Sequence, residues 1–73
     1  MSASAPFKDV EAMLKECARE SAWRLATHSR VVSFNGKTYR SLPKHDSIEL
    51  GHIRKMIRYL GINQDCAKKF LPI

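Results

Sequence analysis

The strongest constraint on this chain is Asn35-Gly36, which sits between two β-forming runs. Val31-Val32-Ser33-Phe34 precede it and Lys37-Thr38-Tyr39-Arg40 follow it. A two-residue type I′ turn needs positive φ at both central positions, and Asn-Gly is the pair that tolerates this best. The spacing predicts an antiparallel hairpin over residues 31–40. Pro43 then closes the second strand, because proline has no N–H to give to a ladder.

The segments on either side read as helices. Downstream, Asp46-Ser47-Ile48-Glu49 has the spacing of a capping box, in which Asp46 and Glu49 satisfy each other's free amides. Ile53, Met56, Ile57 and Leu60 follow at helical spacing, so a helix is expected from Asp46 to Leu60. Gly61 suits the left-handed residue that ends it, with Ile62 supplying the accompanying apolar contact. Asn63 suits the cap of a last short helix from Gln64 to Phe70, stopped before Pro72. Upstream, Phe7, Val10, Met13, Leu14, Cys17 and Ala18 form one apolar stripe, and Pro6 suits a first helical turn. Met1 to Ala5 is small and polar and is expected to fray. Between Glu20 and His28 two patterns compete. Ala22, Arg24, Leu25 and Ala26 favour helix, whereas Trp23, Leu25 and Thr27 alternate with polar or small residues as in a strand.

At 73 residues the chain is one domain. A domain this small buries only about 60% of its unfolded surface, which argues against a deep catalytic cavity. An apolar content of 44% is enough for a small core. The start MSASAPFKDV has no apolar region of a signal peptide. No apolar run approaches the ~20 residues that span a bilayer. These features predict a cytoplasmic protein whose Cys17 is a buried, reduced thiol and whose Cys66 is unpaired with it. Neither cysteine has metal-ligand spacing, so no zinc and no other cofactor is expected.

The charge is lopsided. Residues 1–27 balance four cations with four carboxylates, while residues 28–73 carry nine cations against three, which is the whole of the +6 net charge. Such a footprint points to a polyanion. Arg54, Lys55 and Arg58 fall on the polar arc of the second predicted helix, with His52 in its first turn. Arg54 and Arg58 are one turn apart and suit a pair of phosphates. Arg30, Lys37, Arg40 and Lys44 add charge around the hairpin. The plainer reading is a solvated basic face. Trp23, Phe34 and Tyr39 are candidates for base stacking or, more simply, for a small aromatic core. Three histidines, His28, His45 and His52, have the pKa range of a phosphodiester acid or base. RNA brings its own 2′-hydroxyl nucleophile, so a metal-independent ribonuclease needs little more than a histidine and cations. His28, beside Thr27, Ser29 and Arg30, is the candidate catalytic residue. No serine triad, phosphate-cradling glycine loop or paired-carboxylate motif is present.

The run Leu42-Pro43, a polar loop, and then Glu49-Leu50-Gly51-His52-Ile53-Arg54-Lys55-Met56-Ile57-Arg58-Tyr59-Leu60-Gly61-Ile62 resembles the HicA family. These are the small toxins of bacterial toxin–antitoxin pairs, also called YcfA-like proteins. Gly51, Ile53 and Arg54 match the family's Gly-Thr-Leu-Arg-like helix opening, with His52 in place of threonine. Leu60-Gly61-Ile62 matches its close, and Phe70-Leu71 its ending. The resemblance implies an α+β fold of order α-β-β-β-α, a three-stranded antiparallel sheet packed by helices as in a double-stranded-RNA-binding domain, and a short C-terminal helix. It implies a first helix ending near Ser21 and Trp23 opening the first strand. It also implies RNA as ligand and an antitoxin protein as partner. One departure bears on activity. The family carries a Gly-Ser-His-His-like motif before the hairpin turn, and here valines, Val31 and Val32, stand at the histidine positions. The leading expectation is therefore an RNA-binding protein of toxin–antitoxin or regulatory type. The competing ones are a small basic module that docks an acidic protein partner, and a DNA-binding regulator.

Overall fold

The computed structural model describes residues 3–73. The elements run β1 (Ser4–Pro6), α1 (Phe7–Cys17), β2 (Ala22–Leu25), β3 (Arg30–Phe34), β4 (Lys37–Leu42), β5 (Ser47–Glu49), α2 (Leu50–Leu60) and α3 (Gln64–Ala67). The fold is α+β, with an antiparallel sheet of order β2-β3-β4. Asn35 and Gly36 take φ of 54° and 72°, as a type I′ turn requires. Across it Phe34 pairs with Lys37 and Val32 with Tyr39. The register then shifts between Arg30 and Val32, so that Arg40 and Ser41 together face Val31. This β-bulge turns both residues outward. Residues 22–25 are strand, which settles the competition there, although α1 ends at Cys17 rather than near Ser21.

A second, two-stranded sheet was not expected. Ser4–Pro6 pairs with Ser47–Glu49, Ala5 opposite Ile48. Both of those side chains are buried. The chain is thus ordered from Ala3, not frayed through Ala5; Met1 and Ser2 lie outside the described residues. The same pairing replaces the capping box. Ser47-Ile48-Glu49 is strand, α2 starts at Leu50, and no side chain caps it. Instead α1 and α2 each give their first amide to the approach of the neighbouring strand. Phe7 N–H donates to the Asp46 carbonyl at 2.7 Å, and Leu50 N–H to the Ala3 carbonyl at 3.0 Å. A backbone partner does the work of a side-chain cap, since either one satisfies a free helix donor.

The core lies between the helices and one face of the sheet. Val10 and Met13 of α1 and Ile53, Met56, Ile57 and Leu60 of α2 meet Val32 and Leu42. α2 ends as its sequence predicts. Gly61 is left-handed at φ 74°, and Ile62 N–H returns to the Ile57 carbonyl at 3.0 Å. Asn35 of the hairpin turn also donates from its side chain to the Leu60 carbonyl at 3.1 Å. The turn is therefore pinned to the C-terminus of α2.

The cysteines overturn their expectation. Cys17, at the end of α1, and Cys66, in α3, form a disulfide with Cα atoms 5.8 Å apart. Neither is a free thiol. Sequence spacing placed Cys17 on the apolar stripe correctly but carried no sign that α3 folds back onto α1. Among the described residues no helix is long and apolar enough to cross a membrane.

Candidate nucleic-acid interface

The predicted site residues separate into two groups and one exception. β4, Lys37–Leu42, carries one group at its start and the other toward its end. At its start, Lys37 is exposed with its ammonium 5.8 Å from the centre of the Tyr59 ring. Tyr59 in turn lies 6.0 Å from Tyr39. This end abuts the exposed arc of α2, which carries Arg54, Lys55 and Arg58, with His52 half-buried on the same helix. The arc is held rigidly because Ile53, Met56, Ile57 and Leu60 are buried beneath it. Among the described residues the one ion pair within 4.0 Å is Arg19–Glu16. The cations on α2 therefore have no carboxylate neutralising them.

At the other end of β4 stand Arg40, Lys44 and His28. His28 is exposed in the turn between β2 and β3, which the Ala26 N–H to Ser29 carbonyl bond closes at 2.7 Å. Lys44 donates to the Thr27 carbonyl at 3.2 Å, and Ser29 to the Arg40 carbonyl at 2.7 Å. His45 follows in the same exposed loop. This group is polar and open to water. No group of three or more His, Cys, Asp or Glu side chains gathers among the described residues to hold a metal.

Arg30 is the exception. It was expected among the phosphate contacts, and only 6% of it is exposed. Its guanidinium lies 3.7 Å from the centre of the Phe7 ring and 6.0 Å from that of Trp23. One nitrogen donates to the carbonyls of both Pro43 and His45 at 2.8 Å. Its direction follows from strand parity. Arg30 shares the inward face with Val32, and the aromatic faces of Phe7 and Trp23 replace water as its surroundings.

The aromatic candidates divide too. Phe34 and Tyr39 are half-buried against the core. Burial raises the Tyr39 hydroxyl above the ordinary tyrosine pKa. Trp23 packs edge-on against Phe7 with ring centres 4.7 Å apart. The aromatic with most free surface is Tyr59, half exposed, which sequence reading overlooked. Its position four residues after Lys55, on the arc opposite the apolar stripe, was the available signal. Val31 and Val32, at the places the family resemblance gives to histidine, are both buried.

A small cleft opens on the other flank of α2. Arg54, Ile57 and Arg58 line one side, Gln64, Lys68 and Ile73 the other, around about 80 Å³. Gln64 and Lys68 had no place among the predicted contacts, because only the packing of α3 brings them beside α2.

Comparison with protein-family models, curated proteins and solved structures finds no match to this chain.

Proposed function

We propose that this protein binds RNA through the exposed arc of α2, in the manner of a HicA-type toxin but without the cleavage step. One observation carries the reading. Arg54, Lys55 and Arg58 project from a helix anchored by five buried side chains, with no carboxylate within 4.0 Å of them, and Lys55 stands one turn before the exposed Tyr59, whose ring Lys37 approaches from β4. Rigid, unneutralised cations next to an exposed ring suit a phosphate backbone with an unstacked base. A merely solubilising surface needs neither the ring nor the rigidity.

A salt titration tests it. Each phosphate contact contributes about 0.7 to the slope of log K against log salt for a single strand and about 0.9 for a duplex. Arg54→Ala/Arg58→Ala should therefore flatten the slope by about 1.4 to 1.8, similarly for unrelated RNA sequences. An unchanged slope in a folded variant removes the proposal.

Ribonuclease activity is outside this reading. Buried valines stand where the resembling family has histidine, and His28 lies at an exposed turn. Labelled RNA is expected to survive incubation with the purified protein. Cleavage that His28→Ala abolishes would restore the enzymatic reading.

The reading implies the cytoplasm, and an antitoxin as the natural protein partner. Glutathione there keeps most thiol pairs reduced. The fold is then required to stand with Cys17 and Cys66 open as well as joined. A second reading, docking of an acidic protein, has its own support. β2 is a sheet edge with Trp23 37% and Leu25 58% exposed, and free edges invite an added strand.

A further inference from the structure

We propose that the cleft between α2 and α3 is a phosphate-binding site, and that a terminal phosphate monoester fills it better than a diester. Its biological ligand rests on the RNA reading above; its chemistry does not.

Two elements converge on the cleft. Arg54 and Arg58, one turn apart on α2, face Gln64 and Lys68 of the α3 segment, over a floor of buried Ile57 and half-buried Ile73. Two guanidinium groups, an ammonium and an amide supply more donors than one diester can accept. None of the three cations lies within 4.0 Å of a carboxylate, Asp65 on the neighbouring turn included. Guanidinium forks match the paired oxygens of phosphate. The apolar floor lowers competition from water on one side.

Charge narrows the ligand. A monoester carries about −1.5 to −2 at neutral pH and three acceptor oxygens, against −1 for a diester. Three cations in one place favour the former.

The walls are fixed before any ligand arrives. The Ile62 amide is bonded to the Ile57 carbonyl at 3.0 Å, the Asn63 side chain accepts from the Cys66 amide at 2.9 Å, and Cys66 is bonded to α1. While the disulfide is closed α3 is held to α1, and a site pre-organised in that form loses less on binding.

The test uses three probes on wild type and Lys68→Ala. They are inorganic phosphate, followed by amide resonances, and one single-stranded RNA made with a 5′-hydroxyl or a 5′-phosphate. Inorganic phosphate should move the resonances of Arg54, Arg58, Gln64 and Lys68. The 5′-phosphorylated RNA should bind about tenfold tighter, since charge-assisted hydrogen bonds contribute at least that factor. Lys68→Ala should bring the ratio of the two RNAs close to one. Equal binding of both RNAs by wild type, a ratio that Lys68→Ala leaves intact, or no response to inorganic phosphate each overturns the proposal. Localised phosphate shifts with no binding of either RNA would uphold the cleft and remove the RNA reading instead.

Discussion

Opening the Cys17–Cys66 disulfide is expected to lower the free energy of unfolding by about 4 kcal/mol. The bond joins residues 49 apart in sequence. In the chain-entropy model a loop of that length costs the unfolded state about 4 kcal/mol of freedom at room temperature. A domain of this size has only about 4 to 11 kcal/mol in all, at 0.05–0.15 kcal/mol per residue. The bond is therefore a large share of the total. It also holds α3 to α1, and nothing else in α3 reaches as deep as Ala67 and the following Leu71. Urea unfolding of the wild type, with and without reductant, and of Cys17→Ser/Cys66→Ser gives the number. The double variant avoids a lone reactive thiol. A loss below about 1 kcal/mol would mean that packing alone seats α3, and that the unfolded chain already holds the two segments close.

The disulfide also marks where sequence reasoning reached its limit. The hairpin, the left-handed Gly61 and the apolar stripes of both long helices were legible, because each depends on a turn requirement or a period within a few residues. Cys17 and Cys66 were not, because their meeting depends on how α3 folds back. The same holds for Ser47–Glu49. Its spacing satisfies a capping box, yet a strand partner at Ser4–Pro6, more than forty residues away, gave its backbone a better use. Lys68 and Gln64 belong to this class as well, since only tertiary packing sets them beside Arg54 and Arg58. Residues 20–28 were ambiguous for a different reason. Helix propensity favoured one state there, and pairing with β3 stabilised the other. For the candidate site, the exposed arc of α2 could be read from periodicity alone. Which of the surrounding cations joins it could not.

Arg30 is the sharpest case, and its replacement should be among the most damaging. Arg30→Ala is expected to cost about 3 kcal/mol. The truncation removes a guanidinium stacked 3.7 Å from the Phe7 ring centre, an interaction of about 2 kcal/mol when desolvated. It also strips the Pro43 and His45 carbonyls of their shared donor. Each such hydrogen bond to a charged group contributes about 1.5 to 3 kcal/mol, offset in part by relief of burying a charge whose Nε has no partner. Arg30→Lys should fall between wild type and alanine. A single ammonium can serve the two carbonyls, but it lacks the flat face that lies on Phe7. Urea unfolding of both variants measures the costs, and an alanine loss under about 1 kcal/mol would mean that neither contact contributes to the fold. The alanine variant answers a second question. It removes a charge that lies inside the protein, so the salt slope of RNA binding should match wild type wherever the fold is intact. A flatter slope would return Arg30 to the phosphate contacts. An unchanged one leaves binding to the cations that stand free on α2 and along the α3 cleft.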